Sequence, residues 1–95
     1  MAEARADVKT ESASRYLQQL CKHRSHKMTT EFDPEKGRVE FPSGARLDLQ
    51  ADAQQLHLAL TADDEALERM ETVVADHLKR FAFREELEFA WRKSA

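Results

Sequence analysis

The chain has 95 residues, of which 41% are hydrophobic and 35% charged, and it carries a net charge of −3 at pH 7. That length holds one domain around one core, and only two Gly and two Pro argue against a long disordered segment. No run approaches the roughly 18 apolar residues of a membrane helix, and the overall acidity argues against a dedicated nucleic-acid binder, which needs clustered cations.

The single cysteine, Cys21, has no internal disulfide partner. The first residues, MAEARADVKTE, lack the apolar stretch of a signal peptide. The expectation is a cytoplasmic, reduced protein, folded as one domain over residues 1–95 with residues 1–3 and 93–95 frayed. The charge is uneven along the chain. Residues 1–27 hold six bases and three acids, residues 61–76 hold six acids and one base, and residues 77–95 hold five bases and three acids.

In chain order, Ala4, Ala6, Val8 and Thr10 alternate with polar residues and predict a first strand. Ser12 or Ser14 can cap a helix over about 12–25, whose apolar stripe is Ala13, Tyr16, Leu17, Leu20 and Cys21. Its last turn is rich in bases, as the negative end of a helix dipole favours. Met28, Thr30 and Phe32 predict a second strand. Asp33 to Gly37 read as a hairpin loop, and Val39 and Phe41 mark strand three. A Pro42-Ser43-Gly44 turn leads to Leu47 and Leu49 on strand four. After the polar connection Gln50–Gln54, Leu56, Leu58 and Leu60 mark strand five, with His57 on the opposite face. Acids at Asp63 and Asp64 open a second helix over about 64–82 with Leu67, Met70, Val74, Leu78 and Phe81 on one face. Leu87, Phe89 and Trp91 then alternate as a last strand.

The order is β-α-β-β-β-β-α-β. The strands are apolar on one face and polar on the other, so the predicted fold class is α+β. It is a two-layer sandwich with both helices on one face of an antiparallel sheet. Its expected centre is Leu17, Leu20, Val74, Leu78, Phe81, Phe89 and Trp91.

The stretches SRYLQQLCKHRSHK (14–27), GRVEFPSGARLDL (37–49) and VVADHLKRFAFREELEFAW (73–91) resemble the bacterial domain of unknown function family 2218, over about Arg5 to Arg92. The resemblance implies a small stand-alone α+β protein of unassigned activity. It also implies a setting near flavoproteins that interact with iron–siderophore complexes, making such a flavoprotein or a small anionic ligand the expected partner.

Three constellations could carry chemistry. Cys21, His23, His26 and His77 are residue types that bind zinc or iron. At about 100° per residue, Cys21 and His23 lie about 160° apart, so one ion could take both only if the helix ended by about residue 23. Without a CxxC or HExxH pattern, a core cysteine and hydrogen-bonded or solvated histidines explain the same residues. The bases Lys22, Arg24, Lys27, Arg80 and Arg84, with Lys79, would form one cationic patch for an anion or acidic partner if the two helices packed in parallel. Dipole complementarity explains them without a ligand. Glu31, Asp33, Glu40, Asp48 and Asp52 sit on or beside the polar sheet face, where charges are expected in any case.

No phosphate loop, nucleophile elbow or zinc-protease motif is present. The leading expectation is therefore a non-enzymatic binding or accessory module in an iron or siderophore context. The alternatives are a metal- or redox-responsive protein using Cys21, His23, His26 and His77, and a structural homodimer. A small enzyme ranks last.

Overall fold

A computed structural model describes residues 2–24, 29–82 and 85–94. The elements are β1 (Ala2–Lys9), α1 (Ala13–Arg24), β2 (Thr29–Phe32), β3 (Lys36–Glu40), β4 (Arg46–Ala51), β5 (Gln55–Ala62), α2 (Leu67–Phe81) and β6 (Arg92–Ser94). The strands form one six-stranded sheet in the order β2-β3-β4-β5-β1-β6, and every neighbouring pair is antiparallel. The fold is the expected α+β sandwich. Both helices cover the same face, α1 over β2, β3 and β4 and α2 over β5 and β1. Among the described residues, no helix is long and apolar enough to cross a membrane.

The period-two pattern of the strands decides which face is covered. Ala4, Ala6 and Val8 of β1, Val39 of β3, Leu47 and Leu49 of β4, and Leu56, Leu58 and Leu60 of β5 are buried beneath the helices. Leu17, Leu20 and Cys21 of α1 and Leu67, Met70, Val74 and Leu78 of α2 complete the core. Each large side chain so buried contributes about 1.5–3 kcal/mol relative to exposure. The centre is thus built from the leucines of β4 and β5. Phe81, Phe89 and Trp91 are only half-buried, although the sequence placed them at the centre.

Two identical turns shape one end of the sheet. The Asp33 Oδ1 accepts the backbone N–H groups of Glu35 and Lys36, each at 2.8 Å. The Asp52 Oδ1 likewise accepts those of Gln54 and Gln55, at 2.8 and 2.7 Å. Such side-chain turns are the reason aspartate is favoured at a hairpin start. At the other end, Gly44 has φ +93° in the β3–β4 turn, a conformation that suits glycine.

Several boundaries differ from expectation. Residues 64–66 form a turn, and α2 begins at Leu67. Its N-cap, Ala66, has no side-chain acceptor, and the Asp63 carbonyl accepts the N–H groups of Ala66 and Leu67 instead. The last strand is only Arg92–Ser94, and residues 85–91 are irregular. Residues 2–3 and 93–94, expected to fray, are paired: Ala2 and Glu3 with β5, and Glu3 and Ala4 with β6.

Candidate binding site on the open face of the sheet

The uncovered face is organised in rows that cross the strands. One row runs through all six strands in register: Glu31, Arg38, Asp48, Ala59, Arg5 and Arg92. The next row toward the aspartate turns is Lys36, Gln50, His57 and Asp7. Ala59 contributes only a methyl group among long charged side chains. The result is a broad depression of about 970 Å³, with Arg5, Asp7, Arg38, Asp48, His57 and Arg92 among its lining residues.

His57 joins three elements. Its Nδ1 lies 2.6 Å from Asp7 Oδ1 on β1, and its Nε2 lies 2.9 Å from Asp52 Oδ2 at the β4–β5 turn. A carboxylate only accepts, so both contacts are satisfied when both ring nitrogens carry protons. The hydrogen bond to Asp7, then that to Asp52, holds the His57 pKa above its ordinary value. The reciprocal bond from His57, then that from Arg92, holds Asp7 below the usual carboxylate range. Asp52 is lowered first by His57 and then by the N–H groups of Gln54 and Gln55. Arg92 Nη2 reaches the second oxygen of Asp7 at 2.8 Å. Arg38 Nε donates to Asp48 at 2.8 Å and Arg5 Nε to Glu3 at 2.7 Å. These pairs are largely exposed. They orient the guanidinium groups more than they stabilise the fold.

The expected acidic set divides across this face. Glu31, Asp33 and Asp48 line the depression. Glu40 lies one row away, opposite Arg46, and Asp52 holds His57 from the turn.

Among the described residues, Lys22 and Arg80 of the expected basic patch lie apart. Tyr16, in α1, donates its hydroxyl to Glu85 just beyond α2, at 2.5 Å. Leu20, one turn later, lines a small crevice with Val73, Val74 and His77, further back along α2. The helices therefore run antiparallel, as they must when each returns along one of two antiparallel strands, β1 and β5. Lys22 and Arg80, both exposed, stand toward opposite ends of the helix layer. Arg24 ends α1 on the Lys22 side. Lys27 and Arg84 lie outside the described residues.

The expected metal set is also dispersed. Cys21 is fully buried, and burial pushes its thiol up to about 11, which opposes the thiolate that metals and oxidants need. Its Sγ stands against Gly37 of β3. The His77 Nδ1 donates to the Val73 carbonyl at 2.6 Å, as in an intrahelical back-bond. The helix continues to Arg24, and the side chain of His23 lies outside the described residues. His26 lies outside the described residues. Among the described residues, no group of three His, Cys, Asp or Glu side chains could hold a metal ion.

Sequence reasoning noticed His57 only as an outward residue. The missed signal is the Asp52 hairpin start five residues before the outward His57, whose ring the second Asp52 oxygen meets.

A family model described as uncharacterized proteins conserved in bacteria (DUF2218) matches residues 5–92. The NMR structure of PA4090 from Pseudomonas aeruginosa is 42% identical to this chain. The match covers 97% of this chain and 96% of that one, with a TM-score of 0.80. A search of curated proteins gives no match.

Proposed function

The chain belongs to the DUF2218 family of uncharacterized bacterial proteins, and on that premise we propose that it is a non-enzymatic binding module whose recognition surface is the open face of its sheet. One observation carries this reading: the depression over Ala59 is a wide concavity of about 970 Å³, lined by four bases, of which acids orient Arg5, Arg38 and Arg92. Binding sites favour such concave surfaces with a few convergent polar groups. Oriented guanidinium groups suit carboxylate and phosphate oxygens. The partner class is an anionic ligand, and the iron–siderophore setting implied by the family resemblance makes ferric chelates the first ligands to test.

The test is a titration of isotope-labelled chain with citrate and with gallium(III) forms of hydroxycarboxylate siderophores, followed by NMR. Shifts confined to outward residues of β1, β3, β4 and β5 are expected. Shifts confined to Lys22, Arg24 and Arg80 would move recognition to the helix layer and end this reading.

A second reading is self-association through edge strand β2. Phe32 favours it, being the large hydrophobic side chain left exposed there, at 42%. Light scattering decides: a mass near 11.0 kDa at high concentration ends that reading.

A further inference from the structure

The row that crosses the sheet places cations on both sides of a gap. Ala59 stands between Asp48 on β4 and Arg5 on β1, with Arg38 beyond Asp48 and Arg92 beyond Arg5. At about 4.8 Å between strands, Arg38 lies roughly 10 Å to one side of Ala59 and Arg5 roughly 5 Å to the other. Both Arg5 and Arg38 are held through Nε. This arrangement directs the guanidinium plane while leaving the terminal amino groups as donors. Arg92 is held through one terminal nitrogen by Asp7.

We propose that the depression over Ala59 is a site for a small molecule bearing two separated anionic oxygen groups, one received by Arg38 and the other by Arg5 and Arg92. This deepens the binding-module reading and rests on it. Ala59 supplies the room, because any longer side chain there would fill the space between the two cationic poles.

His57 tunes the charge of the site. The lining includes four bases, Arg5, Lys36, Arg38 and Arg92, and four acids, Asp7, Glu31, Asp33 and Asp48. Glu3 on Arg5 and Asp52 on His57 add two acids in direct contact with the lining, so protonating His57 makes the face less negative. The groups around His57 are Asp7 on β1 and Asp52 in the turn, which bond it, Gln50 beside it on β4, Lys36 on β3 in the same lining and Arg92 through Asp7. The helices lie on the other face and add none. Losing the imidazolium leaves Asp7 to Arg92 alone, so less of the Arg92 charge is left for an incoming anion. The anion is therefore held at the lower pH and released as pH rises past the His57 pKa, which its two carboxylates raise.

Calorimetry of the full chain with citrate, succinate and acetate at pH 6 and pH 9 tests this. The two larger acids bind at pH 6, and acetate binds at least about tenfold more weakly, since it forfeits one set of charged hydrogen bonds. Arg38→Gln and Arg5→Gln each weaken citrate about tenfold, and Ala59→Leu removes binding. Raising the pH to 9 weakens binding about three- to fivefold, the scale of one nearby charge in water. His57→Lys, which keeps the charge, abolishes that loss. Acetate binding as tightly as citrate, with both arginine variants still weakened, would overturn the two-point site and leave the sheet-face reading standing. If Arg38→Gln, Arg5→Gln and Ala59→Leu all bind like the wild type, or if none of the three acids binds at millimolar concentration, both fall. A pH dependence unchanged in His57→Lys would remove His57 from the site.

Discussion

Gly37 of β3 lies so close to Cys21 of α1 that a Cβ at this position would stand 2.8 Å from Sγ and 3.1 Å from the Leu17 Cδ2. The absence of a side chain at this strand position is what lets α1 settle onto β3. Gly37→Ala would relieve some chain entropy in the unfolded state, but overpacking in a closed core costs about 1–3 kcal/mol. A net loss of about 1–2 kcal/mol is expected in urea denaturation. Adding Cys21→Ala restores part of it, giving a non-additive double-mutant cycle. Additive losses would show that Sγ is not the obstacle.

The same burial makes a chemical prediction. With its thiol pushed up to about 11, Cys21 reacts with an aromatic disulfide reagent at neutral pH only through transient opening of the core. One thiol titrates promptly in denaturant and very slowly without it. Gly37→Ala accelerates the native reaction. A fast native reaction in the wild-type chain would contradict the buried position.

The Asp7–His57–Asp52 bridge predicts a two-sided pH profile of stability. The pKa of His57 is raised by its two carboxylates, so its contribution is complete below the unfolded value of about 6.5 and is lost as pH rises through the folded value. Asp7 and Asp52 are lowered. Their contribution is complete above the unfolded value of about 3.9 and is lost as pH falls through the folded ones. Denaturation midpoints should therefore be highest between about pH 4 and 6.5. Because His57 is partly exposed, at 36%, solvent screening limits the alkaline limb to about 0.5–1 kcal/mol. His57→Gln flattens that limb and also weakens the acid one, which then rests on Arg92 for Asp7 and on the N–H groups of Gln54 and Gln55 for Asp52. A profile that keeps its alkaline limb in this variant would rule the bridge out as its cause.

Tyr16 offers a direct optical probe, since it is the chain's one tyrosine. Burial first, then the hydrogen bond to Glu85, holds its phenol above the usual range. Ultraviolet titration should place its ionisation above about 10, and Glu85→Ala should move the midpoint down. A raised acid pKa stabilises the folded state below the unfolded value and fails as pH rises, so this contact weakens in alkali. Tyr16→Phe costs about 0.5–1.5 kcal/mol. A phenol that titrates as in a free peptide would mean that the segment after α2 is not docked.

The fold was legible because inward and outward residues alternate without error in the middle of the sheet. Leu47 and Leu49 face Leu60 and Leu58 across β4 and β5, and this pattern admits only one covered face. The last strand misled for a physical reason. Leu87, Phe89 and Trp91 alternate as a strand does, and Leu87 is buried. Yet only residues 92–94 pair with the open edge of β1, and a period of two reports side-chain burial rather than a hydrogen-bonded neighbour. The candidate site was legible only as outward residues, Glu31, Asp33, Asp48 and His57 among them, and not as a cavity with cationic poles. Ala59 becomes a gap, and Arg38 its neighbour across Asp48, only once register aligns four strands, and register is a long-range property. The separation of Lys22 from Arg80 was not legible either, because local charge at two helix ends carries no information on which way the second helix runs.

The place of β1 in the sheet has a consequence for synthesis. This strand lies between β5 and β6, so both of its partners are made after β2, β3 and β4. The meander of β2 to β5, with α1 laid on it, can assemble while β1 waits with two unsatisfied edges. Closing contacts of such long sequence separation slows folding. An unpaired, apolar strand exposed during that wait is vulnerable to mispairing with another chain. The alternating charges of β1, Glu3, Arg5, Asp7 and Lys9, give the nascent chain a polar edge that discourages such encounters until β5 arrives.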